Sequence, residues 1–94
     1  MHNKYNDEDM GYLMEVIASI NDPKDCGNFF DDLCTIQELK SMAQRLKVAK
    51  MLTQGKVYGD IAAETGASST TISRVNKCLL YGKNGYKKVF EMKE

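Results

Sequence analysis

Apolar residues recur every three or four positions along most of this chain of 94 residues, and no segment alternates apolar and polar residues. Side chains at those spacings share one face of an α-helix, whereas a half-buried strand requires alternation. The pattern therefore predicts an all-α fold. The predicted helices cover about 8–20, about 23–33, Thr35 to about Gln54, about 59–65, a segment that begins after Ser68, and about 84–92.

Capping residues set several of the predicted boundaries. Asn21-Asp22-Pro23 ends the first helix, and its aspartate and proline are suited to begin the second. Thr35 and Glu38 form a capping box at the start of the third helix. Gly55 is placed to end that helix, which we expect to be central because it is apolar on more than one flank.

The segment 58–77, YGDIAAETGASSTTISRVNK, predicts a helix-turn-helix. Two helices joined by a tight corner need a small inward-facing residue and a glycine in the left-handed turn. Ala62 and Gly66 meet these needs, and Ser68 can cap the second helix. The apolar residues that would close the corner are Ile61, Ala67, Ile72 and Val75. The alternative is a pair of packed helices that binds no ligand.

The short chain favours one domain, 1–94, that assembles with a second copy. A domain of this size buries only about 60–65% of its unfolded surface. Three successive apolar stripes offer more surface than one small bundle covers. We therefore expect a homodimer through residues 8–54, beside a helix-turn-helix at 58–77 and a C-terminal helix at 84–92 whose docking face is Tyr86, Val89 and Phe90.

Charge is distributed unevenly although the formal net charge is zero. Residues 1–39 carry two lysines against nine acidic residues, a net charge of −7, whereas residues 40–90 carry ten basic residues against two acidic ones, a net charge of +8. Such asymmetry is typical of a chain with one face for a polyanion. Solvated helix faces whose signs happen to segregate are the simpler reading.

Double-stranded DNA is the polyanion that a helix-turn-helix predicts. Its second helix enters the major groove, and short hydroxyl side chains permit a close approach. The candidates for reading bases are Ser69, Thr70 and Ser73. The candidates for phosphate contacts, which position without specifying sequence, are Lys56, Ser68, Lys77, Lys83, Lys87 and Lys88.

Other classes of function find little support. Three cysteines without a CxxC pair argue against a disulfide framework or a zinc site, and the single histidine is His2. We identify no nucleophile–base pair and no phosphate-cradling glycine loop, so we expect neither an enzyme nor a required cofactor. Apolar runs too short for a membrane span and a polar, acidic N-terminus predict a cytoplasmic protein.

Residues 33–82 resemble the Trp repressor family, and within it the YerC/YecD-type branch. The resemblance is carried by Leu33 to Thr35, by Arg45 and Gly55, and by the block TGASSTTISRV at 65–75. It implies an intertwined helical homodimer whose paired helix-turn-helix units read a palindromic operator, that is, a transcriptional repressor. A helix-turn-helix that docks another protein, without an operator, is the alternative; the local positive charge favours DNA.

The resemblance also implies an effector pocket. Arg45 and Arg74 match the arginines that hold the indole in tryptophan-binding members, and Thr35 matches the pocket's edge. Val75 stands where those members have glycine, and Cys78 where they have serine. Val75 adds bulk, so we expect L-tryptophan not to be a strong corepressor, while another small ligand stays open. Alternatively, Arg45 is an ordinary surface arginine and Arg74 a phosphate contact.

Overall fold

A computed structural model describes residues 7–93, and within that range it contains six α-helices and no strand. The helices are α1 (Glu8–Ser19), α2 (Pro23–Leu33), α3 (Ile36–Thr53), α4 (Tyr58–Thr65), α5 (Ser69–Tyr81) and α6 (Gly85–Lys93). The predicted all-α fold is thereby confirmed. None of these six helices combines the length and hydrophobicity needed to cross a bilayer. His2 lies outside the described residues.

Local capping chemistry explains where the helices begin and end. The Asp22 carboxylate accepts a hydrogen bond of 3.2 Å from the backbone N–H of Asp25, and Pro23 is the first residue of α2. Gly55, just after α3, has a left-handed φ of +79°. Both features agree with the sequence analysis. The capping box of Thr35 and Glu38 stays a prediction.

The chain divides into two units, one ending at Ile36 and the other beginning at Gln37. The first unit contains α1 and α2, and neither helix has a fully buried residue. Met10, Leu13 and Ile17, which form the stripe of α1, are only half-buried, and Tyr12 is 69% exposed. The apolar side chains of this unit therefore lack a core of their own.

The second unit contains a well-defined core built by α3, α4 and α5. Its buried residues are Val48, Ala49, Met51, Ile61, Ala67, Ile72, Val75 and Leu79. Only the second half of α3 contributes, since Leu46 is 46% exposed and Ala43 is also exposed. The expectation that α3 is covered on several sides thus holds only for its C-terminal half within one chain.

Helix α6 packs against this core through two aromatic residues. Tyr86 and Phe90 are partly buried against the core and stack with ring centroids 6.3 Å apart. Val89, predicted to share their docking face, is 48% exposed. That part of the prediction is wrong, because Val89 lies about 100° around the helix from Phe90.

Candidate nucleic-acid interface

The turn between α4 and α5 is held by backbone conformation and by one threonine. Gly66 has φ +73°, and its N–H donates to the carbonyl of Ala62 at 2.9 Å. The Thr65 hydroxyl donates to the carbonyl of Ile61 at 2.7 Å and accepts from the N–H of Ala67 at 3.1 Å. The left-handed turn at Gly66 was predicted. The role of Thr65 was not predicted, although its hydroxyl bridges both sides of the turn.

The corner of the helix-turn-helix is closed by the four apolar residues that the sequence predicted. Each of them is buried: Ile61, Ala67, Ile72 and Val75. Ala62 is half-buried and packs against the same core, as expected of the small residue on α4. The spacing of these residues therefore fixes the crossing of α4 and α5.

Helix α3 anchors α4 through two polar contacts. The Gln44 side-chain amide donates to the carbonyl of Thr65 at 3.1 Å, next to the turn. The Lys47 ammonium lies 3.7 Å from a carboxylate oxygen of Glu64, and both side chains are exposed. An exposed ion pair of this kind contributes little, so the amide contact is the stronger constraint on the turn. Sequence reasoning gave Gln44 no role, because a polar residue on a helix carries no periodic signal.

Helix α5 begins with the cap that was predicted. The Ser68 hydroxyl oxygen accepts from the N–H of Thr71 at 3.1 Å, and the same hydroxyl lies 3.1 Å from Thr71 Oγ1. Ser68 thus has a structural task at the start of the helix. Its further assignment as a phosphate contact stays a prediction.

The outer face of α5 and the start of α4 line one open cleft of about 440 Å³, here called the recognition cleft. Its lining residues are Tyr58, Ser69, Thr70, Ser73, Arg74 and Lys77. The structure therefore brings together the three residues predicted to read bases, the predicted phosphate contact Lys77, and Arg74, which was assigned to the effector pocket or to a phosphate contact. Ser73 is half-buried, whereas Ser69 and Thr70 are exposed. Tyr58 is an addition that sequence reasoning missed.

The other candidate phosphate ligands lie elsewhere on the second unit. Lys56, Lys83 and Lys88 are exposed and do not line the recognition cleft. Lys87 lines a different cleft of about 390 Å³, together with Lys50, Thr53, Gln54, Phe90 and Glu91. Only Lys77 among the predicted lysines shares the cleft with the residues predicted to read bases.

The residues assigned to an effector pocket have different surroundings. Arg74 lines the recognition cleft, and Arg45, Val75, Cys78 and Thr35 do not. Val75 is only 2% exposed and belongs to the corner core, as the register predicted. Arg45 and Cys78 are exposed. A ligand that contacts both arginines stays a prediction.

Metal binding has no evident site in the described part of the chain. No group of three His, Cys, Asp or Glu side chains is arranged to hold an ion among residues 7–93. The three cysteines in that range are free thiols.

Comparison with known proteins supports the resemblance seen in the sequence. The model of the family described as Trp repressor protein matches residues 8–94. The uncharacterized protein YerC of Bacillus subtilis (strain 168) is 51% identical over 83 residues, which cover 88% of this chain and 80% of YerC.

Two crystal structures are also close. A TrpR-like protein from Eubacterium eligens superimposes with a TM-score of 0.91 at 47% identity, covering 97% of this chain and 94% of the other. A Trp repressor candidate from Staphylococcus aureus gives a TM-score of 0.90 at 40% identity, covering 95% and 89%. At these identities the likeness extends to sequence as well as to fold.

Proposed function

The chain belongs to the Trp repressor family, and from this premise we propose that it is a sequence-specific DNA-binding transcriptional repressor. It acts as a homodimer on a palindromic operator in the cytoplasm. The family is one of regulators rather than enzymes, and we expect no catalytic activity.

The recognition cleft is the observation that carries this proposal. It lies along α5, the second helix of a helix-turn-helix, which is the element that enters the major groove in proteins of this architecture. Its hydroxyl side chains are short enough for the helix to approach the base edges. Arg74 and Lys77 supply positive charge at the same place.

Charge supports DNA over a protein partner. Residues 40–90 carry a net charge of +8, which suits a phosphate backbone better than an apolar groove. A duplex bound by this region would release counterions, so its affinity would fall steeply with salt. A helix-turn-helix that docks another protein is not expected to bind a duplex with an affinity that falls steeply with salt.

Exposed apolar side chains support the homodimer. Ile36 is 59% exposed and Leu33 50%, and Leu46 is similarly open on the first half of α3. Large apolar side chains that stay exposed in one chain are available for burial against a second copy. A homodimer would also supply two α5 helices, one from each copy, for a palindromic operator.

We propose that L-tryptophan is not a strong corepressor of this protein. Val75 is already packed in the corner, so a ligand ring that needs a glycine at this position would have to displace core atoms. Overpacking of this kind costs about 1–3 kcal/mol. DNA binding is then either constitutive or controlled by a smaller or differently shaped molecule.

Fluorescence anisotropy with a labelled mixed-sequence 30-base-pair duplex tests the proposed function. The purified protein should bind, and its affinity should fall about 10³-fold or more between 50 and 200 mM salt if several phosphates are contacted. A folded protein with no measurable binding at the lowest salt would contradict the proposal and leave the protein-interaction module as the better reading.

A further inference from the structure

Tyr58 is the one lining residue of the recognition cleft that α5 does not supply. It is the first residue of α4, and its side chain is 42% exposed. Neither core packing nor a cap explains it, since it is not among the residues packed in the core cluster. An aromatic phenol at this edge therefore needs another account.

The chemistry of the cleft selects for an oxyanion. Each of its six lining side chains can donate a hydrogen bond: four hydroxyls, one guanidinium and one ammonium. None of the six, all within the described residues, is acidic. By contrast, the cleft that contains Lys87 includes Glu91, and a third cleft beside Phe90 includes the apolar residues Ala43 and Leu46.

The position of Tyr58 makes that oxyanion a backbone phosphate. In a helix-turn-helix complex the first helix crosses the sugar–phosphate backbone while the second lies in the groove. Tyr58 is at the start of the first helix and therefore faces the backbone rather than the base edges. Tyrosine hydroxyls are among the regular ligands of DNA phosphates.

We propose that Tyr58 is a DNA-contacting residue that donates a hydrogen bond to one backbone phosphate in each half-site. Lys77 neutralises the same phosphate from α5, so the two helices hold one group between them. This contact fixes the register of α5 in the groove and carries no sequence information itself. The inference rests on the proposed DNA-binding function.

The test compares Tyr58→Phe with Tyr81→Phe, a matched control that also removes one phenol hydroxyl. Tyr81 ends α5, is 83% exposed and does not line the cleft. The probes are the mixed-sequence duplex and a duplex selected by the wild-type protein from a random library. Y58F should weaken binding to both duplexes by roughly 5- to 30-fold, with an unchanged salt slope, because the lost group is neutral. Y81F should bind like the wild type.

Substituting single phosphates of the selected duplex by methylphosphonate locates the contact. At one position per half-site, the loss of affinity caused by the methylphosphonate should be smaller for Y58F than for the wild type. At all other positions, the two proteins should lose affinity equally. Equal binding by Y58F and wild type, or equal losses at every position, would overturn the inference. An altered base preference in Y58F would overturn it too, since Tyr58 would then read a base.

The two levels of failure are distinguishable. If the wild-type protein binds neither duplex, the proposed function fails. If the wild type binds and Y58F binds equally well, only the assignment of Tyr58 fails. Far-ultraviolet circular dichroism of both variants verifies that each retains its helices.

A double variant tests whether Tyr58 and Lys77 act on the same phosphate. The fold-loss of affinity in Y58F/K77Q should be smaller than the product of the fold-losses in Y58F and in K77Q.

Discussion

Gly66 and Gly59 occupy the same short helix–turn segment, yet their backbones impose different demands. Gly66 has φ +73°, while Gly59 lies within α4. An added Cβ would meet no atom within 4 Å at either position, so steric clash with neighbours is not the distinction. The difference between the two sites is one of backbone conformation alone.

Gly66→Ala should therefore destabilise the protein by about 1–2 kcal/mol, the cost of a left-handed non-glycine residue. Gly59→Ala should be neutral or stabilising by up to roughly 1 kcal/mol, because alanine favours the helix. Urea unfolding of both variants at one protein concentration measures the two changes. Equal effects from the two substitutions would show that the turn does not depend on the left-handed residue.

Val75 stands where the resemblance to the family places a glycine in tryptophan-binding members. Its side chain is buried in the corner core. Isothermal titration with L-tryptophan should give no binding at micromolar concentrations, and the amino acid should change operator affinity by less than tenfold. Micromolar binding with a tenfold or greater gain in operator affinity would show that the site tolerates the valine.

We propose that helix α5 makes two kinds of DNA contact, to phosphates and to base edges, and variants on this helix separate them. Lys77→Gln should weaken binding to every duplex by a similar factor and reduce the salt slope by about 2, that is, by about 1 for each subunit of the dimer. Lys24→Gln, an exposed lysine of α2, is the control of equal charge change and should leave the slope unchanged. If both variants changed the slope equally, the effect would be one of net charge rather than of the recognition cleft.

Thr70 belongs to the class of residues expected to read sequence. It is exposed in the recognition cleft, so Thr70→Val removes a hydroxyl with little change of shape. We expect an altered base preference at one position per half-site, worth about 1–3 kcal/mol. Library selection with T70V and with Thr53→Val, a control outside the recognition cleft, makes the comparison. Identical preferences for both variants and the wild type would contradict the role of Thr70.

The positions of the helices and the corner of the helix-turn-helix were predictable, because each depends on residues that are close together in the sequence. Asp22, Gly55, Gly66 and Ser68 are residues whose chemistry dictates a cap or a turn. The four corner residues follow from spacing alone. Tyr58 and Gln44 were not predictable, since the residues around Tyr58 and the acceptor of Gln44 come from other helices and a single tyrosine or glutamine has no periodicity. Val89 was wrongly assigned to the docking face, because a residue three positions after Tyr86 can lie on either side of the face that a short helix buries.

At the scale of the whole molecule, the distribution of buried residues is the most informative feature. All eight buried apolar residues of the described chain lie in the second unit, from Val48 to Leu79. The stripes of α1 and α2 were assigned from the sequence to a homodimer interface, and within one chain these helices bury no residue completely. The apolar stripes of one sequence predict that a surface is buried. They do not show whether the residues that cover it belong to the same chain or to a second copy.

A homodimer that covers these stripes should unfold at a midpoint that rises with protein concentration. Light scattering should give about twice the chain mass of 10.6 kDa at micromolar concentration. Leu13→Asp, in the α1 stripe, should shift the protein towards the monomer, whereas Glu15→Gln on the same helix should not. A folded species of 10.6 kDa for the unmodified protein would contradict the homodimer.

Selection of duplexes from a random library by the purified full chain, followed by sequencing, is the sharpest test of dimeric, sequence-specific DNA binding. We expect enrichment of a palindrome whose half-sites are separated by about one helical turn, roughly 10 base pairs between their centres, since two α5 helices of a dimer enter successive major grooves. Enrichment of no sequence by a folded protein, or of a single half-site without symmetry, would contradict a dimeric sequence-specific regulator.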